Sequence, residues 1–142
     1  MNIDFTNINI TGDLTCMTLE QFLIASTADC EFYLSDGRTF EMKEMACFWF
    51  IEQLLRSWDT VFSGIQSPVD FWDFYGEYQA QVKVGVNGCA SCTIAGADYM
   101  FAIEVDREDL REASRKLLTC FEASYPDAHL AGVFQELEQS LL

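Results

Sequence analysis

Residues 2–10 alternate in two phases, with Ile3 and Phe5 apolar and then Ile8 and Ile10, which predicts a strand broken by a bulge or turn near Asn7. Residues 18–26 fit two elements. Thr18 and Gln21 match a capping box that would open a helix, whereas the short length and β-branched neighbours suit a strand, the preferred reading. Over 29–43, Cys30, Phe32 and Leu34 alternate with polar positions, Asp36-Gly37 breaks the run, and Phe40 and Met42 resume it. That is a hairpin. A three-residue Asp36-Gly37-Arg38 loop with Gly37 left-handed would set Leu34 opposite Phe40, Phe32 opposite Met42 and Glu31 opposite Lys43; a two-residue loop would oppose Phe32 to Glu41.

From Glu44 to Phe62 the apolar positions step by three and four, through Met45, Phe48, Trp49, Ile51, Leu55, Trp58 and Phe62, which predicts a central, Trp-rich helix ended by Ser63-Gly64. Residues 78–86 alternate as a strand, and an Asn87-Gly88-Cys89 loop would place Val84 opposite Cys92 and Val82 opposite Ile94. A further strand runs from Tyr99 to Val105. Asp106 then caps a helix lined by Leu110, Ala113, Leu117 and Phe121, and Pro126 opens a last helix carrying Val133, Phe134, Leu137 and Leu141. The order predicts an α+β fold in one domain, 1–142: an antiparallel sheet of about five to seven strands packed against the Trp-rich helix and two C-terminal helices.

Charge changes this picture more than size does. Twenty-three Asp and Glu against eight Lys and Arg give a net charge of −15, yet half of the 142 residues are apolar, enough for a packed core rather than a disordered acidic tail. Such a surface repels phosphates and anionic membranes, so direct nucleic-acid or membrane binding is not expected. Residues 1–105 hold fifteen acids and four bases; the rest hold eight and four, with Arg107, Arg111, Arg115 and Lys116 all on one predicted helix. Neither a basic, apolar leader nor an 18-residue apolar run is present, which points to the cytoplasm and to reduced thiols for the six cysteines.

Candidate chemistry is sparse. Cys89-Ala90-Ser91-Cys92 is a CxxC, but it enters a strand rather than a helix start, and Cys16, Cys30, Cys47, Cys120 and His129 offer no second close pair of ligands, so structural thiols are the expected reading. His129 has no neighbouring nucleophile. No nucleotide-binding or hydrolase motif occurs, and the chain is expected to be neither an enzyme nor a cofactor or metal binder. One segment has a distinct texture. In 69–78, Asp70, Asp73 and Glu77 are interleaved with Phe71, Trp72, Phe74, Tyr75 and Tyr78, the mixture that lets carboxylates steer a cationic surface while aromatics anchor it; Phe71, Trp72 and Phe74 also fit a core whose rim the acids solvate. The candidate binding residues are Asp70, Trp72, Asp73, Tyr75, Glu77 and Tyr78, with Asp59 and Glu31.

An early acidic strand and DG hairpin, the helix containing FWFIEQLLRSW, an NG hairpin, the strand YMFAIEVDRED and a closing helix together resemble the small acidic immunity proteins of bacterial toxin systems, polymorphic or contact-dependent. The resemblance is one of organisation across most of the chain. It implies an inhibitor that masks a basic partner, such as a toxin nuclease, and transfers no individual binding residue. The alternatives are a phage-type nucleic-acid mimic that blocks a defence effector such as a CRISPR nuclease, with Asp29 and Glu31 as one phosphate-like pair, and a small metal-dependent enzyme using an acidic pocket or the CxxC.

Overall fold

The alternation at the start of the chain becomes β1 (Asn2–Ile10), and the chain continues through α1 (Leu19–Ala25), β2 (Ser26–Tyr33), β3 (Thr39–Met45), α2 (Cys47–Phe62), β4 (Ser67–Asp73), β5 (Gly76–Val84), β6 (Ala90–Ala95), β7 (Met100–Val105), α3 (Arg107–Ser124) and α4 (Gly132–Leu141). The structure, a computed structural model, describes residues 2–34, 36–64, 67–84, 89–95, 100–127 and 132–141. The fold is α+β, and its described strands form two antiparallel sheets, β1-β2-β3 and β4-β5-β6-β7, rather than the single sheet expected. Two backbone hydrogen bonds join the sheets where β3 meets β4: Phe74 N–H donates to Lys43 O at 2.9 Å and Ala46 N–H to Trp72 O at 3.0 Å.

Residues 18–26 resolve in favour of the helix. Gln21 N–H donates to Thr18 Oγ1 at 3.2 Å and Thr18 N–H to Gln21 Oε1 at 3.0 Å, so both halves of the capping box form, and burial of Phe22 and Leu23 holds the short helix in place. The predicted helix from Glu44 begins later, at Cys47, because Glu44 sits at φ 48° and it and Met45 complete β3. A further strand, β4, occupies part of the acid-and-aromatic segment. Its run of apolar and acidic residues hides the alternation until β5 pairs with it, Phe71 against Tyr78 and Trp72 against Glu77.

Both hairpins keep their predicted faces but slip by two residues. Phe32 pairs with Phe40 and Cys30 with Met42; Val82 pairs with Cys92 and Val84 with Ala90. In the first, Leu34 N–H donates to Arg38 O at 2.8 Å and Gly37, at φ 86°, is the last loop residue. A three-residue loop of this kind needs its left-handed residue at the end, after a type I turn, not in the middle. Glu31 consequently faces Glu41 instead of Lys43. The Asn87-Gly88 turn lies outside the described residues.

The core is built on phenylalanine more than on tryptophan. Phe50 of α2 stands between the sheets, 6.4 Å from Phe32 of β2 and 4.6 Å from Phe71 of β4, while Phe48 turns towards Phe22 of α1 and Phe121 of α3 at 5.2 and 5.7 Å. Each such fully buried ring contributes about 1.5–3 kcal/mol by leaving water. Trp49 and Trp58 are only half-buried.

Candidate partner-binding face

Asp29 organises the outer face of the first sheet. It lies in β2 between two irregularities, one in β1 between Thr6 and Asn9 and one in β3 opposite Ala28 and Cys30, and each contains a residue with positive φ, Asn7 at 52° and Glu44 at 48°. Its carboxylate ties both together, accepting from Asn7 Nδ2 at 2.8 Å and from Glu44 N–H at 2.9 Å, with Lys43 Nζ at 3.7 Å. Burial pushes the pKa of this acid up, but the bonds from Asn7 and Glu44 and the charge of Lys43 outweigh it and hold the carboxyl below its ordinary value. Asp29 is therefore a buried clamp, and the Asp29–Glu31 pair does not stand as two exposed phosphate-like charges.

Beside this clamp, three carboxylates line up across the three strands. Asp4 of β1 is directly opposite Glu31 of β2, and Glu31 is directly opposite Glu41 of β3. Opposed residues share a face with Cβ atoms about 4.5–5.5 Å apart, and like charges so placed repel. Among the described residues cations reach only the ends: Lys116 Nζ lies 3.6 Å from Asp4 and Lys43 Nζ 2.7 Å from Glu41. Among the described residues Glu31, in the middle, has no ion pair and accepts from the Tyr33 hydroxyl at 3.3 Å. Hydrogen bonding to Asp4, some desolvation and the charge of Glu31 push the Tyr33 phenol up to about 12.

The acid-and-aromatic segment divides between core and surface. Phe71 is buried, and Tyr78, also buried, stacks on it with centroids 5.5 Å apart, so the Tyr78 ring belongs to the core. Asp73 caps the β4–β5 turn, accepting from Tyr75 N–H at 2.8 Å and Gly76 N–H at 3.2 Å, and Asp70 accepts from Gln79 at 3.0 Å. Half-buried Trp72 packs 5.5 Å from Trp49. Glu77 is exposed, and Phe74 and Tyr75 form the turn itself, 67% and 76% exposed and edge-on at 5.2 Å. Because Phe74 N–H bonds Lys43 O, this aromatic turn adjoins β3, the strand that contributes Glu41 to the acidic row. Thus Glu31 joins Asp4 and Glu41, while Trp72, Tyr75 and Glu77 lie at or beside the neighbouring turn. The Asp59 side chain lies outside the described residues.

Sequence reading alone missed Asp4 and Glu41, whose partnership with Glu31 depends on register, and missed the clamp at Asp29. The remaining chemistry stays dispersed. All six cysteines are free; Cys92 is buried, which pushes its thiol up to about 12, whereas Cys89 is half-exposed. Among the described residues no group of three or more His, Cys, Asp and Glu could hold a metal ion, and no helix is long and apolar enough to cross a membrane. His129 lies outside the described residues. Comparison of the chain with family models, curated proteins and solved structures finds no match.

Proposed function

We propose that this protein is a non-catalytic acidic inhibitor that binds and masks a basic protein, a cognate bacterial toxin such as a nuclease, through the outer face of its first sheet and the adjoining Phe74–Tyr75 turn. The observation that carries this reading is the Asp4–Glu31–Glu41 row, in which like charges oppose each other across three strands with, among the described residues, no cation at the centre. An arrangement that costs the isolated fold stability becomes favourable when a cationic surface covers it. Long-range attraction to a molecule of net charge −15 accelerates the encounter, and the exposed aromatic pair supplies apolar contact that slows dissociation.

The test is a titration against the basic toxin encoded in the neighbouring reading frame. Tight 1:1 association that weakens steeply with added salt, together with loss of toxin activity, is expected. No adjacent toxin and no cognate partner captured from the source cell would refute the reading. Competition with DNA or guide RNA for a single effector would instead select nucleic-acid mimicry.

A further inference from the structure

Two sheets have four edges, and among the described residues three of them meet another element. β1 is covered by α3: Lys116 Nζ reaches Ile3 O at 3.4 Å, Cys120 Sγ reaches Phe5 O at 3.7 Å, and the Tyr125 hydroxyl accepts from Ile10 N–H at 3.1 Å. β3 and β4 meet at one end through the two bonds at Lys43 and Ala46, and α2 covers β4 further along, where Trp49 Nε1–H donates to Asp70 O at 2.8 Å. β7 ends the second sheet, and among the described residues its backbone pairs only with β6, in continuous register with no bulge. Of the features that protect an open edge it has a single charge, Glu104, and neither Lys, Pro nor a bulge, and Met100 at its start is 72% exposed.

We propose that β7 is a dimerisation edge, at which a second copy of this chain adds its own β7 antiparallel about a twofold axis, so that two four-stranded sheets become one of eight. The side-chain pattern favours a second copy over a strand from the basic partner. Glu104 is the only charged residue among the six, which offers little to a cationic segment. The strand is also self-complementary. With Ala102 on the twofold axis, Met100 faces Glu104 of the second copy, Phe101 faces Ile103, and the two Glu104 side chains are kept apart. The exposed positions, Met100, Ala102 and Glu104, then continue one face across the junction. The acidic row lies on the other sheet, so it stays free to bind. Two molecules of net charge −15 still repel, so added salt should strengthen dimerisation, the opposite of its effect on partner binding.

Analytical ultracentrifugation of the full chain over a wide concentration range, at about 0.05 and 0.5 M salt where screening differs several-fold, tests this. A monomer–dimer equilibrium that tightens with salt is expected. Ala102→Glu and Ala102→Lys, at an exposed position, should each weaken it by about fivefold or more, because each puts like charges across the axis, and an equimolar mixture of the two should recover dimer as a heterodimer. A monomer under all conditions, a dimer indifferent to both substitutions, or variants that fail to recover on mixing would each overturn the proposal.

Discussion

The outer faces of the two sheets are both polar, yet they are built on opposite principles. On the second sheet, Asp70 faces Gln79, Gln81 faces Thr93, Thr93 faces Ala102 and Ser91 separates Lys83 from Glu104, so among the described residues no acid is set against another acid. On the first, Asp4, Glu31 and Glu41 are directly opposed. A chain that needed charge only for solubility could space its acids as the second sheet does. The contrast shows that one face accepts a like-charge opposition the other avoids.

Substitutions can separate what the two faces share from what distinguishes them. The largest effect should come from Phe50→Ala, which removes the ring between Phe32 and Phe71 and should destabilise both sheets together by about 3–5 kcal/mol in chemical denaturation. Asp29→Ala acts on the first sheet alone. It leaves Asn7 Nδ2 and the Glu44 N–H without their acceptor and should cost about 2–4 kcal/mol, against less than about 0.5 kcal/mol for Gln79→Ala on the exposed second face. Equal losses would remove the distinction between the faces.

Acid should expose the same clamp. Since the folded-state pKa of Asp29 is depressed below its ordinary 3.8, its contribution is complete above about pH 5 and is lost as pH falls through the lower folded value. Denaturation midpoints measured down this limb should fall more steeply for the wild type than for Asp29→Asn. The smallest effect has the most informative sign: Glu31→Gln should stabilise the isolated protein by about 0.2–1 kcal/mol through relief of like-charge repulsion, whereas Glu104→Gln, opposite Ser91, should change little. A destabilised Glu31→Gln would mean that the row is not under repulsion.

Much of this architecture is legible in the residues, and what is hidden is hidden for definite reasons. Alternation reveals β1, the β2–β3 hairpin, β5 and β7, and the three- and four-residue steps reveal α2 and α3. α1 is obscured because seven residues are too few for periodicity to outweigh composition, although Thr18 and Gln21 marked it. β4 is obscured by its mixed run of aromatics and acids. The row itself depends on pairing: a two-residue slip leaves every side chain on its expected face but exchanges Lys43 for Glu41 opposite Glu31, turning an anticipated ion pair into a repulsive contact. Texture in sequence pointed to 69–78, and there the structure divides the aromatics, Phe71 and Tyr78 inward, Phe74 and Tyr75 outward. Acids brought together by strand pairing leave no such texture.

The most direct measurement compares two triple variants, Asp4→Asn/Glu31→Gln/Glu41→Gln on the first sheet and Asp70→Asn/Glu104→Gln/Glu136→Gln on the second sheet and α4, in calorimetric titration against the basic toxin from the neighbouring reading frame at low and high salt. Each variant removes three charges, so net charge is matched. The first should bind at least about tenfold more weakly with a flattened salt dependence, while the second stays close to the wild type. Equal loss in both, or a greater loss in the second, would contradict a binding face located on the first sheet.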